Sequence, residues 1–275
     1  MATATASKRD IRPNFDRRAS LRKNLLHALG STVGSKFVVA LTGLALTGFV
    51  LAHMTGNLLM YKGRDALNSY ALFLKDRGAL LWAARIGLLV VFVLHIILAV
   101  RLKLRNVAAR PQRYIHEDTV QATWASRTMI LTGLVILAFV VFHLLHYTFG
   151  LVAATAPNGQ NFLDLRELLT RTTPREPASR HDVYEMTVYG FRNVYVSVVY
   201  IVALVLLGVH LYHGIASTFQ SLGWNNTRWN PTITAVGRTV AILIVVGNVS
   251  MPLAVMTGLV GGDVPGRSPL QLPLF

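Results

Sequence analysis

The sequence has no cysteine among its 275 residues, and only 14% of its residues are charged. The absence of cysteine excludes disulfides, thiolate metal sites and covalently attached c-type haem within the chain. The scarcity of charge, with 53% hydrophobic residues and a mean hydropathy of +0.47, is far from the balance of a soluble domain. We therefore expect an integral membrane protein.

The long uncharged runs predict helices, because a span must satisfy its own backbone hydrogen bonds in hydrocarbon and none of these runs alternates like a strand. We predict an all-α integral membrane fold with five transmembrane helices at residues 37–61, 79–100, 128–150, 194–220 and 239–261. Outside these spans we expect a basic cytoplasmic arm at 1–36, a polar extramembrane linker at 151–192 and a C-terminal tail at 262–275.

The net charge of +15 comes from lysines and arginines that are spread between the apolar runs. This distribution indicates membrane flanks rather than a nucleic-acid-binding domain. When Arg85 inside the second run is left aside, 16 basic residues lie on the side of the N-terminal arm and 10 on the other side. The positive-inside rule therefore predicts that the N-terminus is inside and the C-terminus outside.

Six of the nine histidines lie inside predicted spans: His53, His95, His143, His146, His210 and His213. Ionisable groups in lipid are costly and usually face a bundle interior, so six of them in four helices indicate a shared function. The alternative for each histidine alone is a hydrogen bond to a neighbouring helix and no ligand at all.

The depths of these histidines suggest two levels. With a rise of about 1.5 Å per residue, His53 and His143 lie about 24 and 23 Å from the inner ends of their spans. On the antiparallel spans, His95 and His210 lie about 8 and 15 Å from the inner ends. We expect the first four helices to form a cofactor-binding bundle in which two paired levels hold two iron-containing haem b groups.

The doubled motifs leave the choice of ligand open. His146 follows His143 by three residues, and His213 follows His210 by three, so either member of each pair faces nearly the same way. A Rieske-type [2Fe–2S] centre is an alternative cofactor, although its two thiolates would have to come from elsewhere. A metal or proton transporter that uses the His-x-x-His pairs is an alternative function. The spans contain no Asp or Glu and no inverted repeat, which argues against transport.

Several segments look familiar: 41–57 (LTGLALTGFVLAHMTGN), 85–99 with its VLHIILA core, 139–146 (FVVFHLLH), 182–191 (DVYEMTVYGF) and 207–214 (LGVHLYHG). They resemble the cytochrome b558-type membrane anchor of bacterial succinate dehydrogenases and fumarate reductases, the respiratory complex II family, over about residues 31–224. This resemblance implies a bacterial cell-membrane protein that passes electrons between an iron–sulfur subunit, joined to a flavoprotein subunit, and a quinone such as menaquinone. It assigns His53 and His143 to the distal haem, and His95 and His210 to the proximal haem.

A quinone site needs an apolar slot with hydrogen-bond donors and a proton donor. The candidates on the inner side are Ser31, Ser35, Lys36 and Trp224. Those on the outer side are Tyr61, Arg85, Tyr184 and Glu185. The basic arm and the second connection are expected to dock the iron–sulfur subunit.

Overall fold

The computed structural model describes residues 30–109, 123–169, 179–224, 226–266 and 269–270. Residues 1–29 of the predicted N-terminal arm, and residues 110–122 of the second connection at 101–127, lie outside these residues.

Five helices are long and apolar enough to cross a membrane. They are α1 (Thr32–Asn57), α3 (Ala79–Ala108), α5 (Met129–His143), α7 (Val194–Ser221) and α8 (Asn230–Thr257). Helix α1 continues in a 3₁₀ turn at Leu58–Lys62, and α5 in a π-helical turn at Leu144–Thr148. The prediction of a mostly helical fold with five candidate membrane spans is confirmed, and these helices are consistent with a multi-pass membrane protein.

The remaining elements are short. They are α2 (Arg64–Lys75), α4 (Trp124–Arg127), a 3₁₀ turn at Phe162–Asp164, β1 (Arg166–Leu168), β2 (Ser179–His181) and α6 (Val183–Arg192). Strands β1 and β2 pair antiparallel, with Arg166 opposite His181.

The boundaries of the last span differ from the expectation of 239–261. Helix α8 begins at Asn230 with a proline in its first turn, a position at which the missing N–H costs nothing. Arg238, which set the expected start, lies inside the helix with its guanidinium 5.2 Å from the centroid of the Tyr212 ring. The helix ends at Thr257 because Gly258 takes the left-handed conformation, with φ 79°.

Helix α7 lies at the centre of the bundle. It packs against α1, α5 and α8, while α3 packs against α1. Buried Leu211, Ile215, Ala241 and Ile244 fill the contact between α7 and α8. Much of α3 instead exposes apolar side chains, as expected of a lipid-facing helix.

A polar cap, formed by α2, β1, β2 and α6, covers one end of the bundle. At its centre the buried amide of Asn68 donates to Glu167 at 2.7 Å and to Asp182 at 2.9 Å. The buried Arg180 guanidinium donates to Glu167 at 2.7 Å and to Asp65 at 2.8 Å. The linker that the sequence identified only as polar is therefore tied to α2 by charged hydrogen bonds.

Candidate cofactor-binding site

The histidine pair nearest the polar cap is formed by His53 of α1 and His143 of α5. Their ring centroids lie 5.9 Å apart and their planes are 84° from parallel. Phe49 stacks beside His53 at 5.5 Å, and Phe139 lies 6.0 Å from His143. Two imidazoles on opposite sides of one metal place their nitrogens about 4 Å apart, since each metal–nitrogen bond is about 2.0–2.1 Å. The separation of these rings fits such a pair.

Tyr200 of α7 contacts both histidines of the first His-x-x-His motif. Its hydroxyl lies 3.1 Å from His143 Nδ1 and 3.0 Å from His146 Nδ1. A phenol carries one hydrogen, so it donates to one imidazole and accepts from the other.

Which group donates in these two hydrogen bonds depends on which histidine binds the metal. The ring beside His53 is that of His143. If His143 ligates through Nε2, its Nδ1 carries the hydrogen and donates to Tyr200. Tyr200 then donates to Nδ1 of His146, whose own hydrogen must sit on Nε2. In that arrangement neither nitrogen of His146 keeps a free lone pair. Since it is the His143 ring that lies beside His53, we assign His143 as the ligand and His146, which is fully buried, as its neighbour.

The second level contains His95 of α3 and His210 of α7, and each is held by a threonine. Thr42 Oγ1 lies 3.1 Å from His95 Nδ1, and Thr132 Oγ1 lies 3.2 Å from His210 Nδ1. Each threonine hydroxyl donates its hydrogen to a backbone carbonyl one turn earlier, that of Val38 at 2.8 Å or of Thr128 at 3.1 Å. Since a hydroxyl has one hydrogen, both threonines accept from the imidazoles.

This arrangement determines which nitrogen of each imidazole can bind a metal. Nδ1 carries the hydrogen in both rings, so Nε2 is left with a lone pair for ligation.

A glycine follows each of these threonines and lets the ring approach the neighbouring helix. A Cβ atom at Gly43 would lie 3.2 Å from His95 Cε1, and one at Gly133 would lie 3.5 Å from His210 Cε1. Thr218 of α7 lies 3.9 Å from the same position at Gly43. Helices α1, α3 and α7 therefore meet at His95.

The two remaining histidine positions have different surroundings. His213 is half-buried. His53 is exposed, and its Nε2 lies 3.1 Å from the Asn57 amide one turn later. Asn57 would have to release that nitrogen before His53 could ligate through it.

Two of the quinone candidates on the cap side, Tyr184 and Glu185, lie on α6. The Tyr184 hydroxyl donates to Asp263 and accepts from the amide of Gly261, both at 3.1 Å. Burial and the neighbouring Asp263 carboxylate raise the pKa of Tyr184. Glu185 lies 3.8 Å from the Arg64 guanidinium.

The other two candidates on the cap side lie on spanning helices. Arg85 is exposed on α3, with its guanidinium 5.1 Å from the centroid of the Trp82 ring. Tyr61 donates to Ser250 at 2.8 Å.

The candidates at the opposite end of the bundle surround the start of α1 and the end of α7. The Ser31 side chain caps α1 by accepting from the Gly34 amide at 3.0 Å. Ser35 is buried and Lys36 is exposed. Trp224 is exposed and stacks on Phe219, with ring centroids 5.8 Å apart. The assignment of a quinone to either end stays a prediction.

Three of the side chains that hold histidines were not identified from the sequence: Thr42, Thr132 and Tyr200. A signal for the threonines exists, because Leu-Thr-Gly-Leu occurs at 41–44 and again at 131–134. Each threonine precedes His53 or His143 by 11 residues. Eleven residues are about three helical turns, so each threonine shares a helix face with the histidine that follows it.

Comparison of the chain with protein-family models, with curated proteins and with solved structures found no match. The interpretation of the site therefore depends on its geometry, and the family resemblance seen in the motifs stays a prediction. Among the residues that the structure describes, no three His, Asp or Glu side chains converge as metal ligands. The rings of His53 and His143 lie 5.9 Å apart, and His95 and His210 each contact a threonine.

Proposed function

We propose that this chain is the membrane-anchor and electron-transfer subunit of a succinate:quinone oxidoreductase. The observation that carries the proposal is the contact between His53 and His143, together with His95 and His210, which each contact a threonine at a second level of the same bundle. At each level, at least one ring is held at Nδ1 by a hydroxyl from a neighbouring helix. Metal-ligating histidines usually donate their second ring N–H in this way.

The residues that would hold two haem b groups are His53 with His143 and His95 with His210. Bound haem would supply a reversible one-electron carrier at each level. Thr42 and His53 lie on the same face of α1, so the two levels are about 16 Å apart along the helix. The surrounding helices exclude water, and the hydroxyl groups of Thr42, Thr132 and Tyr200 keep the rings in one orientation.

The partners follow from the charge distribution. We infer that the end opposite the polar cap faces the cytoplasm of a bacterial cell and docks the iron–sulfur subunit, which carries the flavoprotein subunit. Lys36, Arg101 and Lys103 are exposed at this end. Basic side chains there favour binding of a partner with an acidic surface. A membrane quinone such as menaquinone would complete the electron path.

The test is the dithionite-reduced minus oxidised visible spectrum of the purified complex, with haem, iron, acid-labile sulfide and flavin quantified on the same sample. Two b haems per chain, together with copurified flavin, are expected. If no haem is found, and the sulfide exceeds the amount in the partner's clusters, the histidines would hold an iron–sulfur centre instead of haem. A complex with no redox centre in its membrane subunit would contradict the proposal.

A pair of variants tests the ligand assignment at the cap end. His143→Ala should lose one of the two haems, whereas His146→Ala should keep both, because only His143 faces His53. His181→Ala is the matched control, since its Nε2 donates to the Phe162 carbonyl at 3.0 Å outside the membrane-spanning helices. Equal haem loss in the His143 and His146 variants would contradict the assignment.

A further inference from the structure

At the second level, which contains His95 and His210, a threonine hydroxyl lies within hydrogen-bond distance of Nδ1 of each histidine. Thr42 of α1 holds His95 of α3, and Thr132 of α5 holds His210 of α7, at nearly equal distances of 3.1 and 3.2 Å. The two contacts come from the two copies of Leu-Thr-Gly-Leu, at 41–44 and 131–134. The same four-residue motif therefore occurs on two helices, and in each case its threonine contacts the histidine of the next spanning helix.

We propose that Thr42 and Thr132 are positioning residues that set the midpoint potential of the centre bound by His95 and His210. This inference rests on the proposed function and extends it to two residues that are not ligands. Each threonine hydroxyl accepts the Nδ1 hydrogen, which increases the electron donation of Nε2 to a bound metal. The stronger donor stabilises the oxidised state, so both threonines lower the midpoint potential.

The alternative is a purely structural role, in which these threonines only fill space between helices or hydrogen-bond a backbone carbonyl of their own helix. Both are buried, and both hydroxyls bond carbonyls of their own helix as threonines in spanning helices often do. That role does not require an imidazole within 3.2 Å on the neighbouring helix, and it predicts no change in potential when the hydroxyl is removed.

Substitution by valine separates the two roles, because valine keeps the branched shape of threonine and removes only the hydroxyl. The packing around the imidazoles is kept, so the rings should stay in place. Thr42→Ser and Thr132→Ser retain the acceptor. Thr47→Val is the matched control, because Thr47 is buried on α1 and donates to the Gly43 carbonyl at 2.8 Å.

The experiment is a potentiometric titration of the purified complex, with the electron paramagnetic resonance spectrum of the oxidised centre recorded on the same samples. Loss of a partner that orients a ligand typically changes metal affinity by about 10-fold or more. If that change falls on the oxidised state alone, the potential rises by about 59 mV for a one-electron centre. We expect this direction in Thr42→Val and Thr132→Val, with the serine variants and Thr47→Val close to the parent protein.

The outcomes separate this inference from the proposed function. A parent complex without a redox centre in this subunit would overturn the proposed function and this inference with it. A centre that is present, but titrates at the same potential in the valine variants as in the parent, would overturn the inference alone. Serine variants that shift as far as the valine variants would also overturn it, because the acceptor would then be irrelevant.

Discussion

Neutral hydroxyl groups hold three of the four proposed ligand histidines in this chain. In the proposed tautomers, Thr42, Thr132 and Tyr200 accept from imidazole N–H groups, and the spans contain no carboxylate that could do so more strongly. A buried carboxylate would be costly in lipid unless it were paired. A hydroxyl satisfies the imidazole at a lower cost and leaves the ligand less basic than a carboxylate would.

Removal of the Tyr200 hydroxyl should affect the centre at the cap end alone. Tyr200→Phe leaves Nδ1–H of His143 without its acceptor and Nδ1 of His146 without its donor. We expect the potential of this centre to rise and its haem to be lost about 10-fold more readily, the usual scale for such a partner. Potentiometry and haem retention during dilution measure the two effects.

Tyr195→Phe is the matched control for that experiment, because Tyr195 lies on the same helix and is 85% exposed. It should leave both properties unchanged. A Tyr200→Phe protein with both haems at their original potentials would show that the hydroxyl has no role in the centre.

Close approach of glycines to neighbouring side chains fixes the packing of α8 against the rest of the bundle. A Cβ at Gly208 of α7 would collide with Val245 of α8, and one at Gly247 of α8 would collide with Met54 of α1. Without water between helices, close packing supplies much of the association energy in a membrane. Helix α8 has no histidine, and its role is to hold α7, which bears His210 and Tyr200.

Gly208→Ala should therefore destabilise the bundle. The new methyl meets Val245, which is stiff at χ1 and cannot move aside without backbone movement. Overpacking of this kind costs about 1–3 kcal/mol. We expect a lower midpoint of thermal unfolding in detergent. Gly87→Ala, at a position with no atom within 4 Å of the added Cβ, should leave the midpoint unchanged or raise it slightly, and a similar loss in both variants would contradict the packing argument.

The polar cap should depend on pH through its carboxylates. Hydrogen bonds and charge from Arg180 lower the pKa of Asp65. For Glu167, burial acts to raise the pKa, but hydrogen bonds from Arg180 and Asn68 outweigh it and the pKa is lowered. Such groups stabilise the fold above their ordinary pKa values of 3.8 and 4.5, and this stabilisation is lost as the pH falls through the lowered values.

Arg180→Gln should thus reduce stability most at neutral pH. Thermal unfolding followed from about pH 7 down to about pH 4 and below should show a large difference from the parent protein at neutral pH, and the difference should shrink in acid. Arg77→Gln is the control, because Arg77 is exposed and stacks over Phe73 at 4.3 Å. A constant difference across the pH range would show that the carboxylates do not carry the effect.

The orientation of the whole molecule follows from charge, since the polar cap lies at the end with fewer lysines and arginines. We predict that the cap faces outward. Because the chain has no cysteine, its orientation can be tested by thiol labelling: a single introduced cysteine is the only target for a thiol reagent in this chain.

Leu168→Cys places a thiol on β1 of the cap, where Leu168 is 85% exposed. Thr227→Cys places one in the exposed turn between α7 and α8, at the opposite end. A membrane-impermeant maleimide added to intact cells should label the first variant and not the second, and both should react after permeabilisation. The reverse pattern would invert the proposed topology and move the docking surface to the other side of the membrane.

The sequence by itself determined the five spans, because insertion depends on the local hydrophobicity of about 20 consecutive residues. It also identified the histidines and their approximate depths, since depth along a helix follows from residue number alone. Helices α2 and α6 were not foreseen, because short polar segments carry little periodic signal and Asn68 and Arg180 stabilise them through long-range hydrogen bonds.

Only the tertiary structure decided which side chains hold the histidines. Thr42 and His95 are 53 residues apart, and His146 and Tyr200 are 54 apart. Their contact requires a particular rotation of each helix about its axis, which is set by packing between helices and not by hydropathy. The choice of His143 over His146 depends on the same rotation, because this rotation places the His143 ring beside His53.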